Sequence, residues 1–240
     1  MRPGYREWAP PAALRPAVSC LWTSVVRAGG PTLVLPDACA DLIWQPGAGA
    51  FIAGPDTGPA PAVLPAGTVL VGVRFGPGAG GPALGLPLTE LRDRRVDLAD
   101  VLPGPARRLP GDLSPGAALG RLIEITARLA SERPPDALVR RSARLLAASR
   151  ERTGELARDL GVSERQFRRR CLDAAGYSPK MLHRVLRFRR FVSRIDAADG
   201  QVDLSLLAAE AGYADQAHLT RESVRLAGLP PGALMRARRG

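Results

Sequence analysis

The pattern of apolar and polar positions changes once along the chain. Up to residue 113, short runs rich in β-branched and aromatic residues alternate with proline and glycine turns, which is typical of strands joined by short connections. The predicted strands are Ala17–Val26, Thr32–Leu35, Asp41–Trp44, Phe51–Ala53 and Thr68–Phe75. Short strands with turns between them predict an antiparallel β-sandwich or a small barrel.

From Ala117 onward the apolar residues recur at helical spacing. One stripe consists of Leu119, Leu122, Ile123, Thr126 and Leu129–Ala130, and it ends at the pair Pro134-Pro135. This stripe is equally suited to packing on the β-rich region and to pairing with itself in a dimer. After Asp136 the chain reads as short helices separated by glycine turns. We therefore predict an α+β protein, with a β-rich region over residues 1–113, a helical linker over 114–135 and an all-α region over 136–240.

The first of two similar helix-turn-helix patterns begins at Thr153. The buried face of its first helix consists of Leu156, Ala157 and Leu160. Gly161 supplies the positive φ that ends this helix. Ser163 then caps the second helix, and Gln166, three residues later, completes a capping box.

Arginines occupy one face of that second helix. Phe167, Cys171 and Ala174 share the buried face, whereas Arg165, Arg168 and Arg169 fall on another face. An arginine can donate two hydrogen bonds to guanine or neutralise a phosphate, so these residues are candidate DNA contacts. The alternative is a solvated arginine face.

The second helix-turn-helix pattern runs from Asp203 to Gly228 and repeats the same plan. Leu219 and Leu226 are predicted to be core residues, and the candidates for the groove-facing side are Gln216, Ala217 and Arg221. We interpret His218 as a surface or DNA-backbone-contacting residue rather than a metal ligand, because no other ligand lies near it in the sequence.

A long helix is predicted between the two patterns, starting at Ser178 and Pro179, which favour the N-cap and the first helical position. Its broad apolar face indicates a buried connecting helix. Four of its arginines lie away from much of this face: Arg184, Arg187, Arg190 and Arg194. The sequence leaves two alternatives for them, the DNA backbone or acidic partners within the protein.

The positive charge is concentrated in the helical part of the chain. The net charge is +11, of which residues 1–130 contribute +2 and residues 131–240 contribute +9. A basic region beside a nearly neutral one favours a polyanion-binding module joined to another domain. The alternative is an arginine-rich solvated surface, since Lys180 is the only lysine.

The C-terminal region from about Asp136 to Arg239 resembles the DNA-binding domain of the AraC/XylS family of transcriptional regulators. The residues that carry the resemblance are Glu155–Ser163, Gly176–Pro179, Arg187–Arg190, Ala208–Gln216, Leu219–Arg221 and Leu226–Pro231. The resemblance implies that each recognition helix enters one of two successive major-groove segments of promoter DNA, and that a long helix sets their separation. The DNA-binding residues that it implies are Ser163, Arg165, Gln166, Arg168, Arg169, Arg170, Asp215, Gln216, Ala217, His218 and Arg221.

This chain departs from the family pattern at three places. Ser223 and Cys171 stand where the family usually has a buried phenylalanine, and Leu229-Pro230-Pro231 stands for the usual Val-Ser-Pro. These departures predict that both recognition helices are less firmly seated, and they make the second unit, where Ala217 offers only a methyl group, the weaker candidate for reading bases.

The N-terminal half resembles the cupin-like β-sandwich domain that often precedes such DNA-binding domains. The carrying residues are Leu35–Trp44, Gly54-Pro55, Gly72–Gly78 and Leu88–Leu98. The resemblance implies effector binding or dimerisation. Our candidates for an effector pocket are Asp37, Asp41, Trp44, Arg74 and Phe75. Alternatively, the two aromatic residues are core and the aspartates belong to turns.

Several other classes of protein lack support in the sequence. Both histidines, His183 and His218, lie in the helical half, so metal-dependent cupin chemistry is not expected, and we predict no cofactor. The cysteines Cys20, Cys39 and Cys171 are too scattered for a zinc-bound repair centre, and their odd number favours a reducing cytoplasm. Cys39 is either a redox sensor or a small buried residue. No apolar run is long enough to span a bilayer.

These observations together predict a cytoplasmic transcriptional regulator that is not an enzyme. Its partners are expected to be double-stranded promoter DNA and a small-molecule effector, with RNA polymerase and a homodimer partner as further candidates. The sequence is also compatible with two alternatives. One is a degenerate regulator that acts through its N-terminal half, and the other is a DNA-repair or DNA-modifying protein.

Overall fold

A computed structural model of the chain describes residues 4–27, 30–102, 104, 109–148, 153–198 and 203–239. The strands in these residues are β1 (Tyr5–Trp8), β2 (Val18–Val25), β3 (Gly30–Val34), β4 (Ala40–Gln45), β5 (Gly49–Ala53), β6 (Ala60–Leu64), β7 (Val69–Phe75) and β8 (Arg95–Asp97). The helices are α1 (Gly80–Leu84), α2 (Leu98–Val101), α3 (Pro115–Glu132), α4 (Ala137–Ala148), α5 (Thr153–Asp159), α6 (Glu164–Ala175), α7 (Pro179–Ala197), α8 (Leu204–Ala211), α9 (Gln216–Ala227) and α10 (Pro231–Arg239). The predicted α+β class, with a β-rich region followed by an all-α region, is confirmed.

The N-terminal region is an antiparallel β domain. Its main sheet has six strands in the order β1-β2-β7-β4-β5-β8, and β3 pairs with β6 in a second sheet of two strands. The central strand β7 pairs with both β2 and β4, and this register places Arg74 opposite Cys20 on one side and Asp41 on the other. The sheet therefore brings residues that are distant in sequence into one row.

One face of the six-stranded sheet is covered by α3. Leu122 and Leu129 of this helix belong to the same buried cluster as Trp44 and Val73 of the sheet. The predicted apolar stripe of the helix thus packs on the β domain, which settles the choice that the sequence left open for it. Removing a buried leucine of this kind from water stabilises the fold by about 2 kcal/mol.

The helical domain has a separate core built around α7. The deeply buried side chains of this helix include Leu182, Val185, Phe188 and Phe191, and they pack in one cluster with Phe167 of α6 and Leu219 and Leu226 of α9. Helix α7 therefore packs its apolar residues against both α6 and α9 and supports them both. Both helix-turn-helix units are therefore mounted on α7.

Local sequence patterns account for most of the elements, but not for all of them. The five predicted strands correspond to β2, β3, β4, β5 and β7. Three further strands, β1, β6 and β8, have no counterpart among the predictions. β6 carries Pro61, and β8 is only three residues long, so both lack the regular alternation that identifies a strand.

Candidate nucleic-acid interface

The first helix-turn-helix unit consists of α5 and α6. Gly161 lies in the turn between them with φ +67°, as the sequence predicts. Ser163 caps α6: its Oγ accepts from the backbone N of Gln166 at 3.2 Å, and the Gln166 Oε1 accepts from the backbone N of Ser163 at 3.1 Å. The predicted capping box is therefore present, and it fixes the start of the first recognition helix.

The outer face of α6 carries three exposed arginines, Arg165, Arg168 and Arg169. Within the described part of the chain, none of them has an acidic partner or a hydrogen-bond acceptor. The opposite face is held by Phe167 and Cys171, which are 1% and 0% exposed. The helix thus presents free guanidinium groups to the outside while its other side is fixed in the core.

Arg170 lies next to these arginines but has a different environment. Its Nε and Nη2 each lie 2.7 Å from a carboxylate oxygen of Asp136. Asp136 also accepts a hydrogen bond from the backbone N of Val139, in the first turn of α4. The family resemblance implies that Arg170 contacts DNA. In the structure, Arg170 instead forms an ion pair with Asp136 at the beginning of α4.

The second unit, α8 and α9, repeats this arrangement. Asp203 caps α8, Gly212 ends it with φ +91°, and Asp215 caps α9 by accepting from the backbone N of His218 at 2.6 Å. Gln216, Ala217 and Arg221 are exposed on the outer face of α9. The Oε1 of Gln216 also accepts a hydrogen bond from Ser205 Oγ at 3.3 Å, which links the two helices of the unit.

The predicted DNA contacts thus fall into two groups. Five of the eleven have roles within the fold, as cap residues, as partners of caps or in packing: Ser163, Gln166, Arg170, Asp215 and His218. The other six are exposed on the outer faces of α6 and α9, with Gln216 also bonded to Ser205: Arg165, Arg168, Arg169, Gln216, Ala217 and Arg221. These six form the candidate interface.

Three arginines of α7, namely Arg184, Arg190 and Arg194, meet partners inside the helical domain. Arg184 makes a two-point ion pair with Glu222 of α9, with distances of 2.8 and 2.6 Å. Arg190 donates to the carbonyl oxygen of Ala147 at the end of α4, and Arg194 pairs with Glu210 of α8. Of the two alternatives that the sequence left for these residues, the structure supports partners within the protein.

A cluster of charged and aromatic side chains attaches α9 to α7. The Arg187 guanidinium lies 4.7 Å from the ring centre of Tyr213, and the His218 ring meets that ring edge-on at 5.2 Å. Burial raises the pKa of Glu222, but the hydrogen bond and charge of Arg184, with the charge of Arg187, outweigh this effect, so the pKa lies below its usual 4.5. Glu222 is therefore a carboxylate that ties the second recognition helix to α7.

Ser223 and Cys171 fill the positions where the related family has phenylalanine. Both are fully buried, and Ser223 Oγ donates to the carbonyl oxygen of Leu229 at 2.7 Å. The serine thus replaces an apolar contact with a hydrogen bond that joins α9 to the segment before α10. With both side chains buried and α9 also tied by Glu222, the prediction of loosely seated recognition helices finds no support in these contacts.

The predicted effector residues do not lie together. Trp44 and Phe75 are both 0% exposed and face the core beneath α3, and the Trp44 indole donates to the carbonyl oxygen of Pro110 at 2.8 Å. Asp37, Asp41 and Arg74 form an ion-pair cluster on the other side of the sheet, where Arg74 lies 3.0 Å from Asp41 and 3.3 Å from Asp37. Only these three charged residues can contact one common ligand.

This cluster is partly closed by its own contacts. Trp22 Nε1 donates to Asp41 at 2.7 Å, and Glu7 lies 3.2 Å from Arg74. Burial raises the pKa of Asp41 against the opposing charge of Arg74, and burial also raises the pKa of the Cys39 thiol well above its usual value. A buried thiol of this kind is mostly protonated and unreactive, which favours the small-residue interpretation of Cys39.

The chain thus combines an antiparallel β domain with a C-terminal AraC-type helix-turn-helix domain, whose two capped units pack on one long helix. Residues 156–237 match a family described as a helix-turn-helix domain, and residues 6–97 match a family described as a domain of unknown function (DUF6597). No curated protein sequence matches the chain. The predicted AraC-type domain at the C terminus is confirmed, and the findings support a DNA-binding transcription regulator.

The fold also resembles solved structures over nearly the whole chain. ToxT from Vibrio cholerae is 10% identical, with a TM-score of 0.50, and the match covers 92% of this chain and 99% of that chain. A second structure of ToxT, from Vibrio cholerae O395, is 9% identical with a TM-score of 0.50 and covers 92% and 98%. At this identity the likeness concerns the fold, including the order of a β domain before a helical domain.

Two further observations concern the described residues as a whole. None of their helices is both long and apolar enough to cross a membrane. In that same part of the chain, no three or more histidine, cysteine, aspartate or glutamate side chains are grouped so that they could hold a metal ion.

Proposed function

We propose that the protein is a sequence-specific transcription regulator whose two recognition helices, α6 and α9, enter successive major-groove segments of promoter DNA. The proposal depends on the exposed outer faces of α6 and α9. Six exposed side chains lie on two helices whose starts are capped and whose inner faces are buried. Arginines without protein partners on such helices are suited to contact guanine edges and phosphates.

Two units on one chain give a monomer two contacts with the same face of the duplex. Successive major-groove segments lie about 34 Å apart along B-DNA, so the protein needs a rigid support between its recognition helices. The buried helix α7, with its ion pairs to α8 and α9, supplies such a support. A monomer can therefore bind an asymmetric site, and dimerisation is not required by this geometry.

We further propose that the β domain takes a small-molecule effector at the cluster of Asp37, Asp41 and Arg74. These residues combine two carboxylates and a guanidinium on the side of the sheet opposite α3, and Asp37 is the most exposed of them, with 27% of its side chain accessible. A ligand with a charged or hydrogen-bonding group could exchange with these ion pairs. Thermal-shift screening of the wild type and of Asp37→Asn would identify it, and a ligand that stabilises both proteins equally would contradict the assignment.

The experiment that tests the regulator proposal is a salt titration of binding to the DNA upstream of the coding region and to scrambled DNA of equal length. We expect clear preference for the upstream DNA and a steep salt dependence. A protein that neutralises about six phosphates loses roughly a thousandfold in affinity between about 50 and about 200 mM salt. Equal binding to both duplexes would mean that only phosphates are contacted, and no binding to either would favour the degenerate regulator.

A further inference from the structure

One short segment of the β domain, residues 54–59, contacts the first helix-turn-helix unit and lies next to the second. It contacts the first unit just after α6: the Tyr177 hydroxyl donates to the carbonyl oxygen of Asp56, and a Cβ added to Gly176 would lie 2.5 Å from Pro55 Cγ. It approaches the second unit at the end of α9. There a Cβ on Gly228 would lie 3.5 Å from Pro59 Cγ. The 54–59 segment therefore lies between the carboxyl ends of the two recognition helices.

Other parts of the β domain strengthen the contact with α6. Arg92 Nε donates to the carbonyl oxygen of Gly176 at 2.7 Å, which places a positive charge at the carboxyl end of the helix, where the helix dipole favours it. Gly81 of α1 packs directly on the backbone of α6. A Cβ there would collide with the carbonyl oxygen of Asp173 and lie 3.0 Å from Ala174 Cα.

The 54–59 segment is itself held in a fixed shape. The carboxylate of Asp93 accepts from the backbone N and the Oγ1 of Thr57, at 2.6 and 2.8 Å. Arg95 makes a two-point ion pair with Asp56, at 2.8 and 2.7 Å. Two prolines at positions 55 and 59 further restrict the backbone. The segment is thus a rigid part of the β domain rather than a loose connection.

The contacts leave the candidate DNA-binding faces free. The exposed residues of the interface lie toward the amino-terminal halves of α6 and α9, whereas the β domain meets positions 173–177 and 225–228. Arg165 and Ala174 are nine residues apart, or about 14 Å along a helix. Docking of the β domain therefore does not block the recognition helices. It holds the carboxyl end of α6 by hydrogen bonds and lies beside that of α9.

We infer that the 54–59 segment sets the position of the two recognition helices relative to each other, and with it the separation of the two half-sites that the protein accepts on DNA. Tyr177, Arg92 and Gly81 are positioning residues in this arrangement. Helix α7 supports both units from one side, and on another side the β domain bonds to the end of α6 and lies next to the end of α9. Loss of the second support leaves base contacts intact but allows the two units to tilt independently.

The inference rests on the proposed function and is tested with the full chain and a randomised duplex library. Three variants are compared with the wild type: Tyr177→Phe removes the hydroxyl only, Gly81→Ala inserts a methyl group between the domains, and Gly120→Ala is the matched control. Gly120 lies on α3 with nothing within 4 Å of an added Cβ, so this substitution makes the same chemical change without a new contact.

We expect the wild type and Gly120→Ala to select two half-sites at a single separation near one helical turn, about 10 bp. Tyr177→Phe and Gly81→Ala should select the same half-sites over a wider range of separations. The affinity of Tyr177→Phe for the wild-type separation should fall about three- to tenfold, as expected for the loss of one hydrogen bond. If Gly81→Ala does not fold, the result for Tyr177→Phe alone tests the inference, because this variant keeps the buried aromatic ring and is expected to fold.

Two contrary outcomes are distinguishable. A wild type that selects no two-part site contradicts the proposed function, and this inference with it. A wild type that selects one separation, and variants that select the same single separation, contradict the inference alone.

Discussion

Arg170 and Asp136 form a two-point ion pair that joins the first recognition helix to the beginning of α4. Both nitrogen–oxygen distances are 2.7 Å, and the Arg170 and Asp136 side chains are 40% and 15% exposed. The pair connects the helix that carries the candidate DNA contacts to the helix that opens the domain. Arg170 is therefore expected to act on stability rather than on DNA recognition.

Replacing Arg170 by alanine should destabilise the protein and leave its choice of DNA sequence unchanged. Because the pair is partly exposed, we expect a loss of about 1 kcal/mol, which lowers Tm by roughly 2–4 °C in a protein of this size. Arg169→Ala is the matched control, because that neighbouring arginine has no partner in the described structure. It should keep the wild-type Tm and lose about 1–3 kcal/mol of specific binding if Arg169 contacts a guanine.

Calorimetry and competition binding against random DNA separate the two effects. If Arg170→Ala kept the wild-type Tm and lost specific binding, Arg170 would be a DNA contact after all. If Arg169→Ala weakened specific and random binding equally, its role would be limited to phosphate contact.

Ser223→Ala should destabilise the second helix-turn-helix unit. The substitution removes the hydrogen bond to the Leu229 carbonyl oxygen and leaves that acceptor without its partner, at an expected cost of about 1–2 kcal/mol. Thr220→Ala is the control. Its hydroxyl also bonds to a backbone oxygen, that of Gln216 at 2.9 Å, but at a more exposed position of the same helix.

Urea unfolding measures both free energies. We expect the control to change by less than about 0.5 kcal/mol, because alanine is the better helix former and the lost bond is replaced by water. Equal losses in the two variants would argue against a special structural role for Ser223.

The contribution of Glu222 to stability should depend on pH. Its pKa is lowered in the folded protein, so the stabilisation is complete above about 4.5 and disappears as the pH falls through the lower pKa of the folded state. Glu222→Gln should therefore cost about 2 kcal/mol at neutral pH, where it breaks a largely buried pair. The cost should shrink toward zero in acid, where the wild-type residue is protonated too.

The free energy of unfolding of both proteins, followed from pH 7 down to about 3, checks this expectation. Glu210→Gln serves as the comparison, since the ion pair of Glu210 with Arg194 is about 40% exposed on both sides and should matter little at any pH. A difference between Glu222→Gln and the wild type that stays constant across this range would show that the carboxylate charge is not what stabilises the contact.

The helix-turn-helix units could be predicted from the sequence because their determinants are local. Ser163 and Gln166 are three residues apart, and Gly161 marks the turn directly before them. The role of Arg170 could not be predicted in the same way, because its partner Asp136 lies 34 positions earlier. The spacing of apolar and polar residues along a helix does not distinguish an arginine that faces DNA from one that faces the start of another helix.

The effector residues show a different kind of error. Asp41 and Trp44 are three positions apart on β4, and Arg74 and Phe75 are adjacent on β7, so strand alternation alone places the members of each pair on opposite faces. Applied to the predicted strands, this rule would have separated the charged residues from the aromatic ones. Residue type alone does not show which face of a strand a side chain occupies, whereas its position in the strand does.

The contact between the domains was beyond reach of any sequence pattern. Its main acceptors are the backbone oxygens of Asp56 and Gly176, and Tyr177 and Asp56 are 121 positions apart. Because every residue has a carbonyl oxygen, the residue type at a position does not show that its carbonyl oxygen will accept such a hydrogen bond. Only the folded chain shows that these positions meet.

The contacts of the 54–59 segment have a consequence for how proteins of this kind can diversify by recombination. A DNA-binding domain transplanted from a relative would arrive without the partners of Pro55, Asp56 and Arg92, unless its own residues after the first recognition helix matched theirs. Chimaeras made at the sequence boundary between the two domains should therefore be poorly coupled even when both halves fold. The unit that must be exchanged together is the helical domain and the surface of the β domain that it packs against.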